Sequence, residues 1–211
     1  MGRASIVGTA LLVAMLAPAA AAQERIETPG PFIHERAGTA FPEQVGEFRR
    51  TNVYRYDEAG ENVSASYSLR RPDGRLHLTV YVYPAPRIPA LAPAETCSRE
   101  YEEARAIIAR QNDGAERIED GAAPAVEGAS GRRSVYQFTT LFDGREQAVR
   151  SEIDLYCHVG DEWQVKYRAT SPAVFDAGAE IESFIRTGPW PGRLLAPGPI
   201  VAAATESEVA F

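Results

Sequence analysis

The chain has 211 residues, with 22 Lys and Arg against 29 Asp and Glu, a formal net charge of -7 and 45% hydrophobic residues. It contains no block of basic residues, so it lacks the clustered positive charge by which nucleic acids and acidic membrane surfaces are bound, and both are excluded as partners. The length suits one domain with a proper core, and Cys97 and Cys157 are the only cysteines.

Residues 1–22 carry one basic residue, Arg3, then an apolar run from Ile6 to Leu16, then small Ala-rich residues that suit cleavage before Gln23. That three-part pattern predicts a signal peptide. Its apolar core falls short of the ~20 residues that span a bilayer, and no cysteine stands at the cleavage point to take a lipid. The expectation is a soluble exported protein, periplasmic or secreted, without a transmembrane anchor after signal cleavage. In such a compartment an even pair of cysteines is expected to be bridged.

Residues 23–39 hold Pro29, Gly30 and Pro31 and no apolar periodicity, which predicts a mobile N-terminal arm. A single domain is expected over 40–191. Its first strand runs near Phe48 to Tyr56, and Asp57, Glu58, Ala59 and Gly60 turn the chain. Val63, Ala65, Tyr67 and Leu69 then alternate with Asn62, Ser64, Ser66 and Ser68, a strand with one apolar face. Arg71-Pro72-Asp73-Gly74 reads as a tight turn. In the next strand Leu76, Leu78, Val80 and Val82 fill one face while His77, Thr79, Tyr81 and Tyr83 fill the other, as expected of a central strand.

A proline-rich connection over 84–93 leads to a helix expected over 94–112. Cys97, Tyr101, Ala104, Ile108 and Gln111 recur on one helical face. Arg117-Ile118-Glu119 reads as a short edge strand, and Tyr136, Phe138 and Thr140 mark a longer one. Asp143-Gly144 is a hairpin turn. Around the next turn, Gly160-Asp161-Glu162, two alternating rows follow. Val149, Ile153, Leu155, Cys157 and Val159 form one, and Trp163, Val165, Tyr167 and Ala169 form the other; the two are expected to meet on one sheet face. A second helix is expected over 172–186, with Pro172 in its first turn and Phe175, Ile181, Phe184 and Ile185 turned inward. The Pro-, Gly- and Ala-rich residues 192–211 read as a disordered tail.

Strands, helix, strands, helix predicts an α+β fold: a largely antiparallel sheet of about six or seven strands with two packed helices. This order of elements resembles the Mog1/PsbP-like fold. The stretch from Phe41-Pro42-Glu43 through Tyr56-Asp57-Glu58-Ala59-Gly60 to Val80-Tyr81-Val82-Tyr83-Pro84 is similar to uncharacterised exported bacterial proteins. The resemblance covers about 41–191. It implies a fold family richer in binding and assembly factors than in enzymes, and it brings no catalytic signature, since fold alone does not fix function.

The residues themselves point away from familiar catalysis. Gly128-Ala129-Ser130-Gly131 lacks the spacing of a nucleophilic serine turn and leads into a strand. Cys157 and His158 are neighbours on a strand, so their side chains point to opposite faces and form no dyad. His34, His77 and His158 stand apart from other ligand types, whereas a zinc site shows paired ligands, although an acid from another strand could reach His77. Glu100, Glu102 and Glu103 read as a solvated helix face. No catalytic residue, metal or cofactor is assigned.

Two features remain. Tyr54, Tyr56, Tyr81, Tyr83 and Tyr136 either pack between sheet and helix or line a face that binds a peptide, lipid or small ligand. Cys97 opens the buried stripe of the first helix and Cys157 lies on a sheet row, so a disulfide joins them if that helix covers that face; the competing arrangement is two separate buried thiols. The expected function is an exported non-enzymatic envelope protein that binds a partner protein or small ligand. The alternative is an envelope enzyme of hydrolase type with a non-standard site.

Overall fold

The computed structural model describes residues 23–193. The expected signal peptide, 1–22, and the expected tail beyond residue 193 lie outside the described residues. Four short strands come first: β1 (Glu24–Arg25), β2 (Phe32–His34), β3 (Thr39–Phe41) and β4 (Gln44–Val45). A meander of β5 (Phe48–Arg55), β6 (Val63–Arg71) and β7 (Gly74–Pro84) leads to helix α1 (Pro93–Gln111). A second meander follows, made of β8 (Glu116–Ala122), β9 (Gly131–Phe142), β10 (Arg145–Val159) and β11 (Trp163–Pro172), and α2 (Gly178–Thr187) comes last.

The fold is α+β. Its main sheet has nine strands in the order β1-β5-β6-β7-β11-β10-β9-β8, with β4 also on β5, while β2 and β3 pair separately. The expected six or seven strands become nine because the two-residue β1 and β4 lie along β5, too short to leave a period-two signal. The seam between the meanders is the β7–β11 pair, where Val82 faces Val165 and Val80 faces Tyr167. At the β9–β10 hairpin Asp143 and Gly144 both adopt positive φ, 50° and 78°, the mirror-image turn that suits strand twist.

The sheet separates two cores. On one face Val63, Leu78, Val80, Val165 and Tyr167 are buried beneath α2, whose Phe184 ring lies 4.9 Å from both Phe48 and Tyr67. On the other face α1 sets Ala104 and Ile108 against Tyr136, Phe138, Val149 and Ile153. The rows of β10 and β11 therefore do not meet as expected. Asp154 opposes Tyr167 and Tyr156 opposes Val165, whereas Ile153 opposes Arg168 and Leu155 opposes Lys166. Directly opposed residues share a face. The Ile153 row thus belongs to α1, and the apolar row of β11 meets Tyr156 instead.

Strand β10 is accordingly not half-buried, since Glu152, Asp154 and Tyr156 on its supposed outer row are all buried. The row also breaks at its end. A register shift between Tyr156 and Val159, with His158 at φ 54°, inserts an extra residue and sends Val159 into the core opposite to Ile153. Cys157, before the break, faces α1 and is bonded to Cys97 across 60 residues of sequence. The disulfide ties the first turns of α1 to the sheet.

Two further expectations are corrected. Residues 23–39 are docked rather than an arm: Ile26 N donates to Val53 O, and His34 and Thr39 are buried. Arg50 holds the segment from below, its guanidinium donating to Phe41 O, to Thr28 O at 3.1 Å and to Gly30 O at 2.6 Å. Backbone carbonyls and one arginine do this work, which apolar periodicity cannot reveal. The second helix starts at Gly178 rather than Pro172, because Pro172 still opposes Val149 in the sheet. The inward set Phe175, Ile181, Phe184 and Ile185 is buried as expected. Gln111, read on the inner face of α1, is exposed.

Candidate functional site

Helix α1 packs on β9 and β10, and its first turns reach the near end of β11, where Gln164 is buried and donates to Cys157 Sγ; beyond them the same face of β5, β6 and β7 is more open, with Tyr54, Ser66, Thr79 and Tyr81 half-buried. Across this open half runs one row of directly opposed residues: Tyr54 on β5, Ser64 on β6, Tyr81 on β7 and Lys166 on β11. The next row inward carries Ser66 and Thr79, whose hydroxyls are 3.0 Å apart. The serine face of β6 is thus part of a hydroxyl-rich surface whose members satisfy one another.

Where the edge of α1 meets this surface, Tyr56, Asn62, Tyr81, Tyr83, Glu100 and Lys166 line an open cleft of about 280 Å³. Tyr56 donates to or accepts from Ser64 at 3.0 Å, and its ring lies 6.3 Å from that of Tyr81. The Lys166 Nζ sits 4.4 Å from the Tyr81 ring centroid and 5.7 Å from that of Tyr83. A cation over two tyrosine faces is held by their π electrons. Burial, reinforced by Arg168 nearby, holds the Lys166 ammonium below its ordinary pKa, and Glu100 pulls the other way. Burial raises the Tyr81 and Tyr83 hydroxyls, so both stay neutral donors at physiological pH.

Of the five tyrosines singled out from sequence, three line the cleft. Tyr54 lies on the same face one strand beyond Ser64. Tyr136 is elsewhere, buried under α1 with its hydroxyl accepting from Arg105 Nε at 3.4 Å. Sequence reasoning missed Lys166, Glu100 and Asn62. The pairing of β7 with β11 brings Lys166 opposite Tyr81, and that seam joins strands some eighty residues apart in a way no local pattern announces. Glu100, taken for part of a solvated face, is half-buried at the rim.

The other candidates lie elsewhere in the fold. Among the described residues no group of three His, Cys, Asp or Glu side chains converges as metal ligands do. His77 is met by Asp143 at 3.0 Å from the β9–β10 turn, and His34 is held between Glu61 O and the amide of Ala37. A recess of about 500 Å³ between the proline-rich loop and the Gly160 turn is larger; its His158 is engaged with Pro93 O at 3.1 Å, and Arg87, Thr96 and Asp161 stand among its prolines and aliphatic side chains.

A buried ionic trio lies on the α2 face. Arg133 Nε donates to Asp154 Oδ1 at 2.8 Å. Its Nη2 lies 2.8 Å from Glu152 Oε1, close enough for charge attraction but misaligned, so both atoms lack a hydrogen bond. Burial pushes Glu152 up to about 8, with the neighbouring Asp154 charge adding to it, and burial raises Asp154 as well. One guanidinium cannot balance two buried carboxylates, so a proton is retained between them. At 3% and 1% exposure the pair is closed to substrate.

No protein-family model matches the chain, and no curated protein matches it. No helix among the described residues is long and apolar enough to cross a membrane.

Proposed function

We propose that this chain is an exported, non-enzymatic envelope protein that binds a small ligand in the cleft of Tyr56, Tyr81, Tyr83 and Lys166. One observation carries the reading: three tyrosines and a lysine converge on an open cleft where the sheet loses its helical cover. Tyrosine offers large contact area at low entropy cost, and the cleft lies just below the roughly 300–1,000 Å³ of drug-sized sites, which suits a small molecule better than a protein partner. Export is supported by the sequence of residues 1–22 and by the disulfide, a bond of oxidising compartments. A Mog1/PsbP-like fold is supported by the element order and the antiparallel sheet between two helices.

The test is a ligand-observed NMR screen of residues 23–211, repeated on Tyr83→Ala. Hits that lose affinity in the variant are the expected result. No hits, together with turnover of a generic ester, peptide or phosphate panel, would replace this reading with an envelope hydrolase. Fractionation of cells expressing the full chain tests export, and retention of the uncleaved chain in the cytoplasm would overturn that part.

A further inference from the structure

Lys166 is the one lysine of the chain. Elsewhere in the fold, buried or half-buried arginines have acids: Arg105 has Glu102 at 2.8 Å and Arg133 has Asp154 at 2.8 Å. Among the described residues Lys166 has neither a carboxylate within ion-pair distance nor a hydrogen-bond acceptor. Its contacts are the faces of Tyr81 and Tyr83. Ring faces attract the charge but give its N–H donors no ordinary acceptor, so these donors turn to the open cleft and its solvent. A half-buried ammonium without a protein acceptor can form a charge-assisted hydrogen bond with an incoming anion that displaces this solvent.

The surrounding charge favours an anion. Arg168, two residues along the same face of β11, also lacks an acidic partner among the described residues, so two cations stand against the single carboxylate of Glu100. This local excess lies in a chain whose net charge is -7. The tyrosine walls are flat and apolar, and the Tyr81 and Tyr83 hydroxyls remain protonated donors. A dianionic phosphate is commonly met by an arginine fork or a run of backbone amides, and neither lines this cleft. A monoanion with a flat hydrocarbon body matches one ammonium between aromatic faces.

We propose that the cleft takes a small organic carboxylate, its charge paired with the Lys166 ammonium and its hydrocarbon part laid against Tyr56, Tyr81 and Tyr83. The proposal rests on the cleft being the ligand site and adds the chemical class of the ligand. The groups that face Lys166 are Glu100 from α1, Arg168 on β11, Tyr81 and Tyr83 on β7 and Tyr56 beyond β5. Of these Glu100 alone opposes a carboxylate.

The experiment titrates residues 23–211 with phenylacetate, with its uncharged analogue phenylacetamide and with inorganic phosphate at pH 7, by calorimetry and by NMR of the tyrosine rings. Phenylacetate is expected to bind about tenfold or more tighter than phenylacetamide, the scale of one charge-assisted hydrogen bond. Lys166→Met removes that preference, Lys166→Arg keeps most of it and Glu100→Gln enlarges it. The last variant retains every positive charge, so it reports on the site even where Lys166→Met folds poorly. Equal affinities for phenylacetate and phenylacetamide, a preference that survives Lys166→Met, or tighter binding of phosphate would each overturn the carboxylate class. Tyrosine shifts with phenylacetamide would then show that the cleft still binds ligands. No shift of Tyr56, Tyr81 or Tyr83 with any compound would overturn both proposals.

Discussion

Glu152 and Asp154 stand two residues apart on one buried face of β10 and share the single guanidinium of Arg133. Glu152 has a folded pKa near 8, above its unfolded value, so the native state binds more protons than the unfolded chain between about pH 4.5 and 8. Their contribution to stability is fully present below that window and is lost as pH rises through it. The protein is expected to melt at a higher temperature at pH 5 than at pH 8, with a slope of up to about 1.4 kcal/mol per pH unit. Glu152→Gln, which keeps the shape without the titration, should flatten the slope. Urea melts at both pH values check this, and a wild-type stability that rises from pH 5 to 8 would refute it.

Gly131 lies opposite Tyr156 across the β9–β10 ladder. A Cβ there would come within 2.7 Å of Tyr156 Cδ1 and 2.8 Å of Leu155 O, and Tyr156 is pinned by its bond to Pro124 O and by the Trp190 ring 4.9 Å away. Gly131→Ala should therefore cost roughly 1–3 kcal/mol, as overpacking does. Gly121→Ala on β8, where nothing lies within 4 Å, should change stability by no more than about 0.5 kcal/mol. Chemical denaturation of the two variants gives the comparison, and equal losses would show that the clash is relieved.

The Cys97–Cys157 bond closes a loop of 60 residues, worth roughly 4 kcal/mol by chain entropy. Cys157→Ala should lower the melting temperature of oxidised protein markedly and do much less once reductant is present. Hydrogen exchange should rise first in α1 near Thr96 and Glu100. Intact mass after alkylation without reduction should show no added groups, and two would disprove the bond.

The docked segment over 23–39 hangs on Arg50. Its loss in Arg50→Met leaves the carbonyls of Thr28, Gly30 and Phe41 without their donor. Limited proteolysis with subtilisin should leave the wild-type segment largely intact and trim the variant up to about Thr39, while the rest persists. Equal trimming of both would show that the segment is held by other contacts.

What could be read from sequence follows from which forces leave a periodic trace. The hairpins at Asp143-Gly144 and Arg71-Pro72 and the inward set of α2 were legible, because turn chemistry and apolar spacing are local. The face on which each row lies was not. Alternation in β10 shows two rows without saying which meets Val165, and polar Glu152 and Asp154 counterfeit a solvent face because Arg133, from another strand, accompanies them inward. The cleft was half legible: the tyrosines stood out, but Lys166 acquires meaning only through the seam that opposes it to Tyr81.

That seam also governs the order in which the molecule can be made. Strand β7 has no inner neighbour until β11 has emerged from the ribosome, and Ala37 O waits for the amide of Gly192, near the far end of the described chain. The first meander therefore spends most of translation with an unpaired edge and an uncovered apolar face, the state most open to wrong pairing and to aggregation. Closure is late and depends on contacts distant in sequence, which makes folding slow. A chain released before Trp163 would lack β11 and α2 together, and it should be recovered as insoluble protein rather than as a shortened domain.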